Sequence, residues 1–231
     1  MASEMDKLRV RMDQIANNRT RRQLICLCVD ASISMSMHQR MSTVNREISA
    51  FLQNMYNNAT ARDAVEVCII TFGDKTELVC DYQPLAEALH TCQPIQPTGS
   101  RTELGAGVLL ALERLEARLQ LLTELGVSYY RPYLIIISDD DATDALRCEE
   151  AAKRVQQALR ENSLEVRCLS FSDEDSASRA LQTFTLDRRV DRVNSLEMTN
   201  FFEMLSRSVS AASRRSVQRG ELDLDDNYRH H

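Results

Sequence analysis

Five residues with oxygen-bearing side chains lie where apolar runs of this 231-residue chain end or a helical pattern begins. Asp30, Ser32 and Ser34 alternate in DASIS, directly after the apolar run QLICLCV, while Thr102 opens a long helical pattern and Asp139 follows YLIIIS. Carboxylate and hydroxyl oxygens suit a hard divalent cation, Mg²⁺ first and Mn²⁺ or Ca²⁺ second, and suit zinc or copper poorly. These five residues therefore predict a metal site with an open coordination position, for which a carboxylate of another protein is the natural ligand.

The elements that must bring these residues together follow from hydrophobic patterning. Continuous apolar runs predict strands buried on both faces, and amphipathic stretches predict the helices between them. The pattern indicates an α/β fold, with a doubly wound, mostly parallel sheet, helices on both faces and one antiparallel edge strand. Ligands of such sheets gather beyond the carboxyl ends of the strands, where all five residues fall. The strands are predicted at 23–29, 65–72, 76–82, 133–138, 164–171 and 189–193, and the main helices at 39–57, 102–125, 143–161 and 195–213.

The chain is predicted to form one domain, because it contains no internal repeat and no Pro/Gly-rich linker that would divide it. We expect an N-terminal helix in residues 1–19, the α/β domain in residues 20–213 and a flexible polar tail in residues 214–231. The C-terminal His230 and His231 are excluded from function, since a histidine pair at this position is typical of a purification tag.

Composition excludes several classes of protein. The chain has 28 basic and 34 acidic residues, a formal net charge of -6, which disfavours nucleic-acid binding. No apolar run approaches the roughly 20 residues that cross a bilayer, and the N-terminus lacks the apolar core of a signal peptide. We therefore expect a cytoplasmic protein without membrane contact. The seven scattered cysteines are interpreted as reduced, mostly buried thiols.

The motifs resemble those of the von Willebrand factor A (vWA) family, whose metal ion-dependent adhesion site (MIDAS) has the pattern D-x-S-x-S, then T, then D. Here that pattern reads DASIS, Thr102 in SRTELGAGVLLAL and Asp139 in IIISDDDATDA. The resemblance spans roughly residues 20–213. Within the family the sequence resembles bacterial TerY-type (tellurite-resistance) proteins, through the start of the long helix and through NFFEMLSRSVSAAS near the C-terminus.

The resemblance implies a Rossmann-like vWA fold and a non-enzymatic adaptor. In such proteins the serines and the threonine bind the metal directly or become ligands when the partner binds, the aspartates often act through water, and the partner usually supplies an Asp or Glu. For TerY-type relatives it further implies a stress or defence complex that includes kinases, phosphatases or other ter-type proteins.

The sequence departs from the family pattern at two positions. Ile33 stands where the family has a glycine between the second and third ligands, and Asp140 replaces the glycine of T-D-G. A β-branched residue constrains a tight loop, whereas a second carboxylate adds negative charge. All five ligand positions are intact, so metal binding is expected with altered geometry or affinity.

Other functions and other roles for these residues remain open. A metal-dependent hydrolase or phosphatase is the main alternative, although no general base, Cys-x5-Arg motif or P-loop supports it. A scaffold that has lost metal binding is another. Taken singly, Asp30 is compatible with a strand end, and Ser34 and Thr102 with helix caps. Asp144 is expected to cap the helix that follows it, and the alternative is a place behind the metal ligands.

Overall fold

The computed structural model describes residues 12–13, 15–18, 20–139, 141–171 and 177–219, with residues 177–178 and 212–219 described by their backbone only. The strands in these residues form one sheet in the order β3-β2-β1-β4-β5-β6, and β3 alone runs antiparallel to its neighbour. The predicted α/β fold, mostly parallel with one antiparallel edge strand, is therefore confirmed. The strands are Gln23–Asp30 (β1), Val65–Phe72 (β2), Glu77–Pro84 (β3), Tyr133–Ser138 (β4), Glu165–Ser170 (β5) and Asp191–Arg192 (β6).

Helices cover both faces of the sheet, because successive residues of the central strand point to opposite sides. Ile25, Leu27 and Val29 join a core with α1, α3 and α7, whereas Leu24, Cys26 and Cys28 join a second core with α4 and α5. The helices are Arg40–Asn57 (α1), Ala59–Ala64 (α2), Leu85–Thr91 (α3), Leu104–Glu124 (α4), Ala145–Arg160 (α5), Ala177–Gln182 (α6) and Ser195–Arg219 (α7).

Local structure differs from the sequence prediction in three places. Between the predicted strand at 23–29 and the predicted helix at 39–57, where no helix was predicted, a 3-10 helix spans Ile33–Gln39, and His38 and Gln39 have positive φ values of 50° and 58°. This left-handed step turns the chain into α1. The short helix α2 was not predicted, and α7 runs six residues beyond its predicted end at Ser213.

Three predictions concern residues that are largely outside the described part of the chain. Of the N-terminal helix, residues 12–13 and 15–17 are helical and the rest is not described. Asp140 and residues 220–231 of the predicted tail are also not described. In the part of the chain that is described, no helix is both long and apolar enough to cross a membrane.

The carboxyl ends of β1 and β4 meet, which decides where the predicted site forms. The two strands are parallel neighbours, with Val29 opposite Ile137. Asp30 ends β1 and Ser138 ends β4, so that Asp30 and Asp139 come to the same edge of the sheet. We call this the carboxyl edge, the end of the sheet at which β1, β2, β4 and β5 finish.

Candidate metal site at the carboxyl edge

Three of the predicted ligands form a continuous chain of hydrogen bonds. The Oγ atoms of Ser32 and Ser34 lie 2.9 Å apart, and Ser34 Oγ donates to Asp139 Oδ1 at 2.9 Å. Ser32 and Asp139 are buried, and Ser34 is half-buried. Residues that are 105 positions apart in the sequence therefore present three oxygens to one small volume.

The spacing of these oxygens suits a small hard cation. Mg²⁺ binds oxygen ligands at about 2.1 Å in an octahedron, in which neighbouring ligands lie about 3.0 Å apart. The two observed separations of 2.9 Å are close to that value. The spacing of these side-chain oxygens is thus compatible with the cation that their chemistry predicts.

Asp30 accepts hydrogen bonds from the loop after β1 and from the end of β4. Its Oδ1 accepts from the backbone N–H of Ser32 at 2.8 Å, and its Oδ2 accepts from Ser138 Oγ at 2.6 Å. The side chain is completely buried, and burial raises the pKa of the Asp30 carboxyl to about 6 although these hydrogen bonds act in the opposite direction. Asp30 consequently fixes the loop that carries the two serines and holds a carboxylate beneath them.

Thr102 reaches the same edge through backbone contacts. The Thr98 N–H donates to Ala31 O at 2.6 Å, and the Ile33 N–H donates to Gly99 O at 2.9 Å. These bonds join the segment before Thr102 to the DASIS loop. Gly99 has a φ of 78°, and a Cβ there would lie 2.3 Å from the Asp74 carboxyl carbon, so only glycine fits.

Thr102 itself contacts Thr143 rather than the other four predicted ligands. Its N–H donates to Thr143 Oγ1 at 3.2 Å, and its carbonyl accepts from the Thr143 N–H at 2.9 Å. Thr102 is buried at the entrance to α4. Hydrogen bonds thus link Asp30, Ser32, Ser34 and Asp139 to one another, whereas Thr102 is connected to them through the contacts of Thr98 and Gly99 with the DASIS loop.

Asp144 caps a different helix from the one expected. Its side chain accepts from no backbone N–H at the start of α5, where its one side-chain partner is Cys148 Sγ, which donates to Oδ1 at 3.3 Å. Instead its Oδ1 and Oδ2 accept from the N–H groups of Gly105 and Ala106, at 3.0 and 2.8 Å. The prediction that Asp144 caps the following helix is wrong, because the tight packing of α5 against α4 brings its carboxylate to the first turn of α4. Asp144 therefore helps to position Thr102.

Arg40 is a site residue that the sequence analysis missed. Its Nη1 donates to Asp139 Oδ2 and forms an ion pair with it, while Ser34 occupies the other oxygen of that carboxylate. Arg40 belongs to no metal-binding motif. The one signal in the sequence is its place at the start of the helix that follows DASIS, where a side chain reaches back over the preceding loop.

The candidate set differs from a carboxylate- or thiolate-rich metal centre. Among the described residues, no cluster of three or more His, Cys, Asp and Glu side chains is placed to hold a metal ion. The predicted set combines two carboxylates with three hydroxyls, which is a donor set for Mg²⁺ rather than for zinc.

Solved structures with the same fold include two pilus proteins and a thread matrix protein of the mussel byssus. The vWF domain of the type V pili tip protein Mfa5 from Porphyromonas gingivalis matches with a TM-score of 0.66 and 10% identity, covering 84% of this chain and 96% of that one. Proximal thread matrix protein 1 of the mussel byssus, with a zinc-occupied MIDAS motif, has a TM-score of 0.59 and 15% identity, covering 84% and 46%. The PilB minor pilin of Streptococcus sanguinis has a TM-score of 0.60 and 9% identity, covering 83% and 62%.

At these identities the structural matches establish the fold alone. This chain spans less than half of the mussel protein. Among curated protein sequences, none matches at a significant level. The model of the von Willebrand factor type A domain matches residues 25–142, more than half of the chain, and that segment runs from β1 past Asp139. The chain belongs to the von Willebrand factor type A domain family.

Proposed function

We propose that this protein is a binding module that holds a divalent cation at Asp30, Ser32, Ser34, Thr102 and Asp139 and binds an Asp or Glu of a partner protein through it. The observation that carries the proposal is the run of three oxygens, each 2.9 Å from the next, at the carboxyl edge. Mg²⁺ is the preferred cation because all five donors are oxygens. A bound cation would supply positive charge and an open coordination position for the partner's carboxylate.

Each residue has a defined task in this proposal. Ser32, Ser34 and Asp139 bind the cation, and Thr102 approaches it from the start of α4. Asp30 acts through water and through its grip on the Ser32 N–H. A zinc-occupied MIDAS motif in the mussel protein of the same fold supports a metal role for this region.

The contacts of the two carboxylates favour binding over hydrolysis. A general base needs a free acceptor that can take a proton from water. Asp30 is engaged by Ser32 and Ser138, and Asp139 by Ser34 and Arg40. A metal-dependent hydrolase is therefore the weaker alternative. Titration with Mg²⁺ distinguishes the binding module from a scaffold that has lost metal binding.

We also propose a subfamily and a class of partner for this protein. The TELGAGVLLAL and NFFEML motifs support a TerY-type adaptor, and partners among kinases, phosphatases or other ter-type proteins follow from that similarity. The family match itself supports protein interaction as the general role.

Calorimetric titration of Mg²⁺ into chelator-treated protein tests the metal site. We expect one saturable site, with affinity reduced at least tenfold in Ser34→Ala. Ser36→Ala is the matched control, because its hydroxyl lies in the same 3-10 segment but donates to Ile33 O. Equal affinities in Ser34→Ala and Ser36→Ala would place the cation elsewhere and contradict the proposal.

Cross-linking in the presence of Mg²⁺ or chelator tests the partner contact. Cross-links from the segment around Ser34 should map to peptides of the partner that contain Asp or Glu, and should require Mg²⁺. They should persist in Ser36→Ala and disappear in Ser34→Ala. Cross-links that are equally abundant with chelator would indicate a scaffold that binds without metal.

A further inference from the structure

The contact between Arg40 and Asp139 places a permanent positive charge against a predicted metal ligand. Arg40 is the first residue of α1, and its Nη1 binds Asp139 Oδ2. The Asp139 side chain is 0% exposed and that of Arg40 is 20% exposed. Solvent therefore screens this ion pair much less than it screens a surface pair.

A guanidinium stays protonated throughout the accessible pH range and presents five donors in a rigid fork. Asp139 has only two oxygens, one accepting from Ser34 and one from Arg40. A divalent cation that approaches Asp139 either takes the carboxylate from the guanidinium or stays close to a like charge. Both routes lower the affinity for the metal.

We propose that Arg40 is the resident counter-ion of the site and determines its metal affinity by competing with the divalent cation for Asp139. This inference rests on the proposed function. If Arg40 competes in this way, binding of the metal is coupled to dissociation of the Arg40 guanidinium from Asp139. Cation affinity is then set by a residue outside the D-x-S-x-S, T and D positions, through a contact that the motif does not specify.

A second arginine on the same helix provides a control. Arg46 lies six residues further along α1, and its side chain is 59% exposed. It pairs with the neighbouring Glu47 and not with a predicted ligand. Loss of charge at Arg46 changes the net charge of the protein by the same amount as loss at Arg40, without freeing Asp139.

Calorimetric titration of Mg²⁺ into chelator-treated full-length chain tests the inference. We expect Arg40→Gln to bind Mg²⁺ at least tenfold more tightly than the wild type, and Arg46→Gln to match the wild type. Arg40→Lys keeps the charge and should restore weak binding. The double variant Arg40→Gln/Ser34→Ala should lose the gain, which would assign the tighter binding to the same site.

A measurement on the wild type avoids reliance on variants. Labelling with an arginine-selective dicarbonyl reagent, followed by peptide mass mapping, should modify Arg40 several-fold faster with Mg²⁺ than with chelator. Labelling of Arg46 should not change. Equal affinities in Arg40→Gln and Arg46→Gln, or unchanged labelling of Arg40, would overturn the inference but leave the metal site standing. Failure of every variant, including Arg40→Gln, to bind Mg²⁺ would overturn both.

Discussion

Asp30 combines a structural task with an energetic penalty. Its carboxylate is fully buried at the end of β1, where it holds Ser32 and Ser138. Burial raises its pKa to about 6, so at neutral pH the native state carries a charge that the protein environment disfavours. A buried carboxylate with a raised pKa, which lowers the stability of the protein, is typical of functional sites.

This penalty predicts that Asp30→Asn stabilises the metal-free protein. The pKa of Asp30 in the native state lies above the ordinary value of 3.8, so the native state binds more protons than the unfolded state between about pH 4 and 6. Stability from this group is therefore present at low pH and lost as pH rises through about 6. The shift corresponds to about 3 kcal/mol as an upper bound. The amide can still accept from Ser32 N–H, while the Ser138 hydroxyl can turn to accept.

Urea unfolding in the presence of chelator measures this effect. The asparagine variant should be more stable than the wild type at pH 7, and the difference should vanish near pH 4. Added Mg²⁺ should raise the midpoint of the wild type alone. A variant that is less stable at pH 7 would show that the hydrogen bonds of the carboxylate outweigh its desolvation.

At the scale of elements, two helix starts are held together by one side chain. Asp144 precedes α5 but satisfies two N–H groups in the first turn of α4. The helices approach closely here, since a Cβ on Gly105 would lie 2.2 Å from the Cys148 backbone nitrogen. The position of Thr102 therefore depends on the contact between α4 and α5 as well as on its own loop.

Asp144→Ala should lower the free energy of unfolding by about 1 kcal/mol, the usual loss when a helix cap is removed. It should also weaken Mg²⁺ binding, because the start of α4 carries Thr102. Chemical denaturation and metal titration together check both effects. Glu149→Ala, an exposed residue of α5, is the control and should change neither. A loss of stability with fully retained metal affinity would remove Thr102 from the site.

At the scale of the whole molecule, the two ends of the sheet have different roles. The end opposite the carboxyl edge is closed by Glu66, which accepts from Arg22 Nε at 3.1 Å and from Arg118 Nε at 2.7 Å. Arg22 and Glu66 are both buried. This ion-pair network lies at the start of β2, a full strand length from the site at the other end.

Glu66→Ala should reduce stability by about 3 kcal/mol or more, since it leaves the buried Arg22 guanidinium without its charged partner. Metal affinity of the folded variant should be unchanged. Glu116→Ala removes an exposed pair with Arg154 and should have less than about 1 kcal/mol of effect. Similar losses in the two variants, measured by urea unfolding, would contradict the role given to the buried network.

The burial of the cysteines can be tested by thiol labelling of the native protein. Six of the seven are buried, and Cys92 alone is half-buried. The pKa of the Cys92 thiol is lowered, mainly by a hydrogen bond from Cys80. The lower pKa favours the reactive thiolate form of Cys92. A maleimide should therefore modify one thiol in the native protein, and none in Cys92→Ser. Native labelling of Cys26, Cys28 or Cys68 would contradict the buried sheet.

The sequence was sufficient to predict the sheet, because runs such as QLICLCV and YLIIIS are apolar on both faces and end at the residues with ligand chemistry. It also placed Asp30, Ser32, Ser34 and Asp139 at one edge. It could not predict the Arg40–Asp139 ion pair or the capping of α4 by Asp144. Both depend on distances between elements that are far apart in the chain, and hydrophobic periodicity carries no information about such contacts.

One measurement tests the metal site most directly. Crystals grown without metal and soaked in Mn²⁺ should give a single anomalous difference peak within about 2.5 Å of the Ser32 and Ser34 hydroxyl oxygens, with the Arg40 guanidinium moved away from Asp139. A soaked crystal without a peak at this place, and with Arg40 still paired to Asp139, would contradict a metal-dependent binding site in this protein.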